Sequence, residues 1–278
     1  MKKNLKYHLK DKLAQKEFKI VPSSFDVVGD IMIFSDFPKE LSKKEKIIGE
    51  VILQNYHNIK VILKKTKGVS GKFRTPRLKI IAGERRKQTL HKENDILLKL
   101  NVEKVYFSPR MGSERKRIAE QVKDNESVLV MFSGCGVYPL VIAKSTKCKA
   151  AFGIEINPLA HKYALENAQR NKLESRVKFF LGDVKKVLPK LKKFDRIAMP
   201  LPKGGEDFLE LALSHIKKNG TVHFYDFLND DELAKAEEKV KQACGKVKKK
   251  CKVLRTVKCG QYSPGFYRVC VDFEVHKK

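Results

Sequence analysis

The pattern of apolar and polar positions changes near Tyr106. After that residue, β-prone apolar runs alternate regularly with segments whose apolar residues have helical spacing. Strands are predicted at residues 127–132, 150–154, 177–181, 195–199 and 221–226, and helices at residues 137–144, 158–171 and 208–217. This alternation predicts a mostly parallel, doubly wound sheet. The last two runs, 251–257 and 267–275, flank a turn at 263–265 and predict an antiparallel pair at the sheet edge.

The residues before Tyr106 follow a less regular pattern. Residues 1–20 are polar and basic and predict a helix, whereas the apolar run at 25–34 predicts a strand or a hairpin. Helical spacing predicts a helix from about Ser42 to Ile52, and residues 60–105 alternate short β-prone runs with turns. We therefore expect three parts. These are a basic N-terminal helix or extension at residues 1–20, a small α+β domain at 21–105 and a Rossmann-like α/β domain at 106–278.

The charge balance indicates a polyanionic partner. The chain of 278 residues contains 60 lysines and arginines against 32 acidic residues, a formal net charge of +28. Such an excess is typical of nucleic-acid binding, where basic side chains neutralise phosphates. The alternative is the lysine enrichment of proteins from hot habitats, which the absence of tryptophan leaves open. Lysine in those proteins is usually matched by glutamate, so we favour a nucleic acid.

Membranes and metals have little support in the sequence. No run of about 18 apolar residues exists, and the N-terminus lacks the apolar segment of a signal peptide, so we expect a cytoplasmic protein. None of the six cysteines forms a CxxC pair, so we expect no metal site and mostly buried thiols. A disulfide among the last four stays open. Nothing indicates oligomerisation, and we expect a monomer.

Three consecutive strands of the α/β region end in residues that suit a nucleotide-like cofactor. The first runs into Phe132–Ser133–Gly134–Cys135–Gly136, the second ends at Glu155 and the third at Gly182–Asp183. Glycines allow close backbone approach, and an acid after the second strand can accept from a ribose diol. Singly, Glu155 could be a surface charge and Asp183 a helix N-cap. NAD fits less well than S-adenosylmethionine, because Pro139 stands where a GxGxxG turn has its third glycine.

The segment from Tyr106 to Arg115, YFSPRMGSER, combines an aromatic ring, two arginines and a carboxylate around a proline turn. Aromatic rings stack on bases, arginine binds phosphate, and Glu114 could accept a proton from a base. The alternative is a capped helix start, with Ser113 and Glu114 in the first turn. From the chemistry alone, both interpretations stay open.

The sequence resembles the archaeal and eukaryotic tRNA (guanine-37) N1-methyltransferases over nearly all of residues 20–275. The segments that carry the resemblance are FDVVGDI, GKFRTPRLKIIAGE, HKEN, VYFSPRMGSER, MFSGCGVYPLVIA, EINPLAHKYALENAQRNKL, DRIAMPLPKGGEDFL and YSPGFYRVCVDFEV. The resemblance implies a class I S-adenosylmethionine-dependent methyltransferase domain preceded by a tRNA-contacting domain. The family's further N-terminal module would be absent or vestigial, because only about 20 residues precede FDVVGDI.

The resemblance also implies roles for individual residues. Glu114 matches the family's general base for N1 of guanine, and Arg74 matches an arginine that contacts the target guanine. Arg110 and Tyr106 match residues that organise the target nucleotide and its phosphate. The expected cofactor-binding residues are Phe132, Gly134, Gly136, Glu155, Ile156, Asp183 and Pro200. The expected reaction needs no metal, and the base would have to leave the anticodon stack to reach the pocket.

Two positions depart from the family pattern. Val130 replaces an acid that is common before the Met-Phe of the first motif, and Pro200 stands where the family usually has an asparagine that helps to hold guanine. Three alternatives therefore stay open. The sister family of wybutosine-synthesis enzymes transfers an aminocarboxypropyl group instead, and a related activity methylates a wybutosine precursor base. The third alternative is a tRNA-binding protein without catalysis. Arg110 and the Met199–Pro202 segment favour methyl transfer over aminocarboxypropyl transfer.

Overall fold

The computed structural model describes residues 5–277 and divides into two compact units. The first unit runs to Lys92 and also includes Leu98–Pro109. The second comprises Glu93–Leu97 and Arg110–Lys278. The domain limits predicted at residues 20 and 105 remain a prediction. No helix within residues 5–277 is long and apolar enough to cross a membrane.

The first unit is built on a four-stranded sheet with one main helix. Its helices are α1 Leu5–Leu9, α2 Gln15–Lys19 and α3 Glu45–Asn55. Its sheet has the order β1 Asp26–Val28, β2 Ile31–Phe34, β3 Val61–Ser70 and β4 Thr75–Gly83. The β2–β3 pair is parallel and the other two pairs are antiparallel. Ile48 and Ile52 of α3 are fully buried against Phe34 and Ile62 of this sheet, which forms the core of the unit.

The prediction of a single basic helix over residues 1–20 is wrong in the extent of the helix. Residues 1–4 lie outside the described residues, and two short helices, α1 and α2, occupy the rest. The second helix has its own start, where the Glu17 carboxylate accepts a hydrogen bond from the Ala14 N–H at 3.0 Å. Leu5 and Leu9 are buried in the core of the first unit, so α1 is held by packing.

A two-stranded sheet links the units in sequence. It consists of β5 Gln88–Glu93 and β6 Ile96–Asn101. After it, the second unit has six helices: α4 Gly112–Ala119, α5 Val137–Ser145, α6 Pro158–Arg170, α7 Val184–Val187, α8 Leu209–His215 and α9 Ala234–Lys246. Its seven strands are β7 Ser127–Met131, β8 Ala150–Glu155, β9 Val177–Leu181, β10 Phe194–Met199, β11 Ile216–Asn229, β12 Lys249–Ser263 and β13 Phe266–Lys277.

The seven strands form one sheet in the order β12-β13-β11-β10-β7-β8-β9. The five strands from β11 to β9 are parallel, while β13 and β12 extend the sheet as an antiparallel pair. Residues Val128–Met131 of β7 are all buried, as expected for a central strand covered on both faces. The predicted doubly wound α/β domain and its antiparallel edge pair are therefore confirmed.

Two details of the prediction are wrong. Helix α9 was not predicted, because its buried face carries mainly small residues, Ala236, Val240, Ala243 and Cys244, in a segment dominated by lysine and glutamate. Strand β11 begins at Ile216, inside the predicted helix 208–217, and continues to Asn229. The last residue of β10 pairs with Phe224, so β11 runs five residues past its parallel neighbour. This extension pairs with β13 and stands beyond the carboxyl edge of the parallel strands.

Candidate active site

The loop after β7 has an unusual backbone. Phe132, Gly134 and Gly136 all have positive φ, at 64°, 58° and 84°. For a phenylalanine this left-handed conformation costs about 1–3 kcal/mol, a strain that is typical of ligand-binding loops. Hydrogen bonds from the Ser133 N–H to Ile154 O at 2.9 Å and from the Gly136 N–H to Ser133 O at 3.0 Å hold it. The loop is thus fixed at the carboxyl edge of the sheet, where open α/β sheets bind ligands.

Gly136 meets a packing requirement. A Cβ at this position would lie 2.8 Å from the ring of Phe179 and 3.1 Å from the Cβ of Ala164. Together with its positive φ, this leaves glycine as the residue that fits where the loop enters α5. The glycine therefore allows the start of α5 to approach β9 and α6 closely.

Glu155 connects the first two strand ends. Its Oε2 accepts a hydrogen bond from the Gly134 N–H at 2.7 Å, and its Oε1 accepts one from the Asn157 N–H at 2.8 Å. Burial raises the pKa of Glu155, and three backbone donors, the N–H groups of Asn157, Gly134 and Ile156, act in the opposite direction. A carboxylate has about four acceptor positions, and three backbone N–H groups leave about one of them for a ligand hydroxyl. A ribose diol is a ligand that such a carboxylate can bind.

The third strand end offers a cap and an apolar surface. Asp183 is the N-cap of α7, and its Oδ1 accepts a hydrogen bond from the Lys185 N–H at 2.8 Å. Leu181, two residues earlier, is 50% exposed. Phe132 makes an edge contact with Phe208, with 4.9 Å between ring centroids, and Ile156 is half-buried. Exposed apolar side chains beside strand-end polar groups suit the adenine and ribose of a nucleoside.

Pro200 forms a tight turn at the end of β10. The Leu201 N–H donates a hydrogen bond to Met199 O at 2.6 Å, which closes a three-residue turn centred on the proline. Gly205 packs closely against this turn, since a Cβ at Gly205 would be 2.3 Å from Leu201 O. The loop is therefore rigid, and polar recognition at this place would come from backbone groups, because proline has neither a side-chain amide nor an N–H.

Glu114 lies in the first turn of α4 and is only 3% exposed. Arg117 binds its carboxylate through two hydrogen bonds, Nε to Oε2 at 2.6 Å and Nη2 to Oε1 at 2.7 Å. The Tyr225 hydroxyl donates a third to Oε1 at 2.6 Å. These three bonds use three of about four acceptor positions. The position that remains is on Oε2, so a fixed carboxylate can still accept one further proton donor.

A buried chain of polar groups continues behind Glu114. Arg117 also contacts the Asp272 carboxylate, which lies 2.6 Å from His223 Nδ1. Arg196 Nη1 lies 2.8 Å from His223 Nε2. Because an arginine can only donate, Nε2 is the acceptor, and the neutral imidazole carries its proton on Nδ1 and donates to Asp272. The chain therefore fixes the tautomer of His223 as well as the orientation of Arg117.

The pKa directions agree with this assignment. Burial lowers the pKa of His223, and the neighbouring arginines add to that effect. Burial alone would raise the pKa of Asp272, but hydrogen bonds from His223 and Arg117 outweigh it and hold that pKa far below the usual range. The pKa of Arg117 is raised, because its bonds to Glu114 and Asp272 outweigh its burial. Asp272 is thus ionised beside a neutral histidine.

Two tyrosines connect Glu114 with the cofactor loop. The Tyr138 hydroxyl lies 3.4 Å from the Tyr225 hydroxyl and donates to it. Tyr138 belongs to α5, the helix that begins directly after Gly136, and the Arg115 guanidinium lies 5.7 Å from its ring centroid. Burial raises the pKa of both tyrosines, so both remain protonated donors. Glu114 is therefore tied by a short hydrogen-bonded path to the helix that follows the glycine loop.

The other predicted substrate residues are divided between the units. In the first unit, Arg74 has φ 49° and its N–H donates to Gly71 O at 3.1 Å in the turn between β3 and β4. Burial lowers the pKa of Arg74, which the nearby Tyr106 partly offsets. Tyr106 is 42% exposed. In the second unit, Arg110 is exposed in the 3-10 turn before α4.

Sequence reasoning missed four residues of the buried chain, namely Arg117, His223, Tyr225 and Asp272. A signal was present for three of them. Arg117 stands three residues after Glu114 on the same helix face. His223 and Asp272 interrupt apolar runs that read as buried strands, where a polar residue needs a partner.

One group of possible metal ligands occurs among residues 5–277. Donor atoms of His223, Cys270 and Asp272 all lie within 4.8 Å of one another. Arg117 and Arg255 both bind Asp272, so a cation at this point would meet two positive charges. The group is better described as part of the buried chain.

Comparisons with known proteins agree with this geometry. Residues 89–254 match the family described as the TRM5/TYW2 methyltransferase domain, and residues 5–86 match the TYW2 N-terminal domain. The tRNA (guanine(37)-N(1))-methyltransferase Trm5b of Pyrococcus abyssi is 38% identical over 95% of this chain and 78% of its own length. The tRNA(Phe) (4-demethylwyosine(37)-C(7)) aminocarboxypropyltransferase of Methanocaldococcus jannaschii is 33% identical over 89% of this chain and 96% of its own length.

Solved structures give the same result. The crystal structure of Trm5b from Pyrococcus abyssi has a TM-score of 0.86 at 36% identity and covers 95% of this chain and 78% of the other. The complex of aTrm5 with tRNALeu has a TM-score of 0.85 at 32% identity and covers 99% of this chain and 78% of the other. Because the methyltransferase-domain match spans more than half of the sequence, and relatives above 30% identity align with most of it, the chain belongs to the TRM5/TYW2 methyltransferase family.

Proposed function

We propose that this protein transfers a methyl group from S-adenosylmethionine to N1 of guanine 37 in tRNA, with Glu114 as the general base. The observation that carries the proposal is the state of the Glu114 carboxylate. It is buried, fixed by Arg117 and Tyr225, and retains one acceptor position on Oε2. Two relatives at 38% and 35% identity are guanine-37 N1-methyltransferases, which supports the same reaction.

The residues at the strand ends fit the cofactor. Glu155 has about one acceptor position left for a ribose hydroxyl, and Leu181 and Ile156 offer apolar surface for the adenine. Phe132, Gly134 and Gly136 form the turn beside them, and Asp183 and Pro200 follow the neighbouring strands. When bound, S-adenosylmethionine would supply an electrophilic methyl group on sulfur. Relatives solved in complex with adenosine or with AdoMet support the assignment.

Glu114 has one task in the proposed reaction. Guanine N1 carries a proton that leaves only at alkaline pH, so the neutral base is a poor nucleophile. In the proposal, the free position on Oε2 accepts that proton. The electron pair that the N–H bond leaves on N1 would form the new bond to the methyl carbon as the carbon–sulfur bond breaks, with the thioether of the cofactor as the leaving group. Arg117 and Tyr225 keep the carboxylate in one orientation before and after the transfer.

Three further residues carry roles implied by the resemblance. Arg74 would stabilise the negative charge that develops on O6 of the guanine. Tyr106 and Arg110 would hold the target nucleotide and its phosphate, through stacking and charge respectively. These assignments are part of the proposal and are to be tested by substitution.

The proposed substrate form is the anticodon stem-loop of tRNA, with the target base turned out of its stack. The net charge of +28 supports binding to a polyanion, and the relative aTrm5 has been solved in complex with tRNALeu. We also propose that the protein acts as a monomer, without a metal, in the cytoplasm. Light scattering with and without tRNA tests the first point, and activity after chelation tests the second.

Two other reactions have named relatives within the family. One relative transfers an aminocarboxypropyl group to 4-demethylwyosine, and another, from Saccharolobus solfataricus, methylates 4-demethylwyosine. Methyl transfer is favoured here because Arg110 and the prolines of the Met199–Pro202 segment are features that the aminocarboxypropyl-transferring sister family typically lacks. Binding of tRNA without catalysis is disfavoured by the intact Glu155 and Glu114 arrangements.

The experiment that tests the function is transfer of labelled methyl from S-adenosylmethionine to unmodified tRNA transcripts with guanine or adenine at position 37. We expect base-linked label in the guanine transcript alone. Glu114→Gln should reduce the rate by about 10²–10⁴-fold while cofactor binding is kept. Glu120→Gln, at the exposed end of the same helix, is the matched control and should retain activity. Methyl labelling that requires a 4-demethylwyosine base would instead support methylation of that base. Transfer of label from the aminocarboxypropyl group of the cofactor would support aminocarboxypropyl transfer.

A further inference from the structure

An aromatic cluster stands at the tip of the β12–β13 hairpin. Phe227 at the end of β11 lies 4.8 Å from the Tyr262 ring and 5.8 Å from the Phe266 ring, and it stacks on the latter with 24° between planes. Tyr262 is 69% exposed, and no other large apolar or aromatic side chain among those described is more exposed. The ring is therefore held by neighbours on one side and open to solvent on the other.

Positive charge accompanies these rings. The Arg268 guanidinium lies 5.2 Å from the centroid of Phe227, and Lys258 Nζ lies 4.7 Å from that of Tyr267. The acidic run after β11 is largely compensated, because Asp230 pairs with Lys258 and Glu232 pairs with Lys235. The two strands of the hairpin carry seven basic residues and two acidic ones: Lys249, Lys250, Lys252, Arg255, Lys258, Arg268 and Lys277 against Asp272 and Glu274.

The aromatic cluster lies on the same face of β11 as Tyr225, the residue that contacts the proposed general base Glu114. Tyr225, which donates to Glu114, and Phe227 are two residues apart on one strand, so their side chains point to the same face. The cross-strand pairs Tyr225–Cys270 and Phe227–Arg268 confirm the register. Two strand residues span about 7 Å. The aromatic cluster therefore begins one nucleotide-sized step along β11 from Tyr225, the residue that contacts Glu114, on the part of β11 that projects past β10.

We infer that Tyr262, Phe227 and Phe266 form a stacking platform for a nucleobase that flanks the target guanine in single-stranded RNA, with Arg268 and the net positive hairpin strands supplying positive charge. The inference rests on the proposed function, because that function places the target base at Glu114. Rings with one open face, set in a basic surface, are the means by which proteins hold unpaired bases. An occupied platform would keep the anticodon loop open while the target base is at Glu114.

The test is equilibrium binding of the full chain to an anticodon stem-loop RNA at a fixed salt concentration of about 0.15 M, since affinity depends on ionic strength. Tyr262→Ala should weaken binding about 5- to 150-fold, the range expected for the loss of one base–aromatic stack. Tyr262→Phe keeps the ring and should stay within about twofold of the parent. Tyr7→Ala removes another exposed tyrosine, 57% exposed in the first unit, and serves as the control.

A double-mutant cycle identifies the partner of the ring. RNAs with an abasic nucleotide on either side of position 37 are compared with the intact RNA. With the abasic site at the contacting position, Tyr262→Ala should cost less than about twofold. The inference is overturned by unchanged binding of Tyr262→Ala, by equal losses in Tyr262→Ala and Tyr262→Phe, or by additive losses at both flanking positions. A Tyr262-dependent dimer with unchanged RNA affinity would assign the patch to a second copy instead.

This readout is independent of methyl transfer. Coupling between Tyr262 and a flanking base, in a protein that places no label on guanine, would retain the platform and reject the proposed reaction. Label on guanine without coupling between Tyr262 and a flanking base would support the proposed reaction and reject the platform.

Discussion

The Tyr225 hydroxyl donates a 2.6 Å hydrogen bond to Oε1 of Glu114, and so joins a central strand of the sheet to the first turn of α4. The bond leaves Oε2 with its free position, because it uses the other carboxylate oxygen. A carboxylate held in this way has little freedom to rotate, and a general base needs this fixed position to accept a proton at a constant distance.

Tyr225→Phe removes this bond and leaves the ring in place. We expect kcat for methyl transfer to fall about 3- to 30-fold with KM for tRNA and cofactor nearly unchanged, since a hydrogen bond to a charged group contributes about 1.5–3 kcal/mol at most and two bonds from Arg117 remain. The measurement is steady-state kinetics. An effect confined to KM would contradict a positioning role.

Arg117→Met should lower stability strongly. The substitution leaves two buried carboxylates, Glu114 and Asp272, without their shared cation, and breaking a buried ion pair costs about 3–5 kcal/mol. Arg117→Lys retains the charge but loses the two-point contact with Glu114, so it should be more stable than Arg117→Met and still impaired in kcat. Denaturant unfolding and kinetics separate the two effects. Equal stability of Arg117→Met and the parent protein would contradict the role given to Arg117 in the buried chain of polar groups.

The pH dependence of stability should report the neutral state of His223. Its pKa is lowered on folding, so the unfolded chain binds one more proton as the pH falls below about 6.5. Protonation then favours unfolding, and stability that is complete above that pH is lost as the pH falls, with a slope of up to about 1.4 kcal/mol per pH unit. Asp272, whose pKa is also lowered, adds to the loss below about pH 4.

His223→Gln removes the titration and keeps a donor and an acceptor. Denaturant unfolding between about pH 5 and 7 should show a flatter slope in this variant, while His57→Gln, at an exposed position, should leave the slope unchanged. A slope that survives in His223→Gln would be assigned to another group.

Glu155→Gln should weaken S-adenosylmethionine binding by about 10- to 100-fold, which corresponds to the loss of charge-assisted hydrogen bonds. An amide group can also no longer accept from both the Gly134 and Asn157 N–H groups, so the loop should loosen. Calorimetric titration with the cofactor measures the change. Glu174→Gln, on an exposed turn, is the matched control and should bind normally.

A pair of glycine substitutions separates packing from helix propensity. Gly136→Ala places a methyl group 2.8 Å from Phe179 in a residue with φ 84°, and should destabilise the protein by about 2–4 kcal/mol. Gly245→Ala lies in α9 with nothing within 4 Å of its new Cβ, and should stabilise by about 0.5–1 kcal/mol. Thermal unfolding of both variants gives the comparison. Equal effects of one sign would refute the packing role of Gly136.

Local sequence determined the parallel strands and the residues at their ends. The periodicity of residues 127–226 predicted five strands of the sheet, and parallel strands place their carboxyl ends at one edge, so Gly134, Glu155 and Asp183 could be grouped without coordinates. Helix α9 was missed because its apolar face is made of two alanines, one valine and one cysteine, which carry little periodic signal.

Only the tertiary structure decided how Glu114 is held. Arg117, Tyr225, Asp272 and His223 come from a helix and two strands that are up to 155 positions apart in the sequence, and no local pattern encodes which of them meet. No local pattern encodes the extension of β11 past β10 either, because this extension depends on the antiparallel register with β13. Periodicity specifies which face of an element is buried, while pairing across the sheet specifies what each buried polar group contacts there.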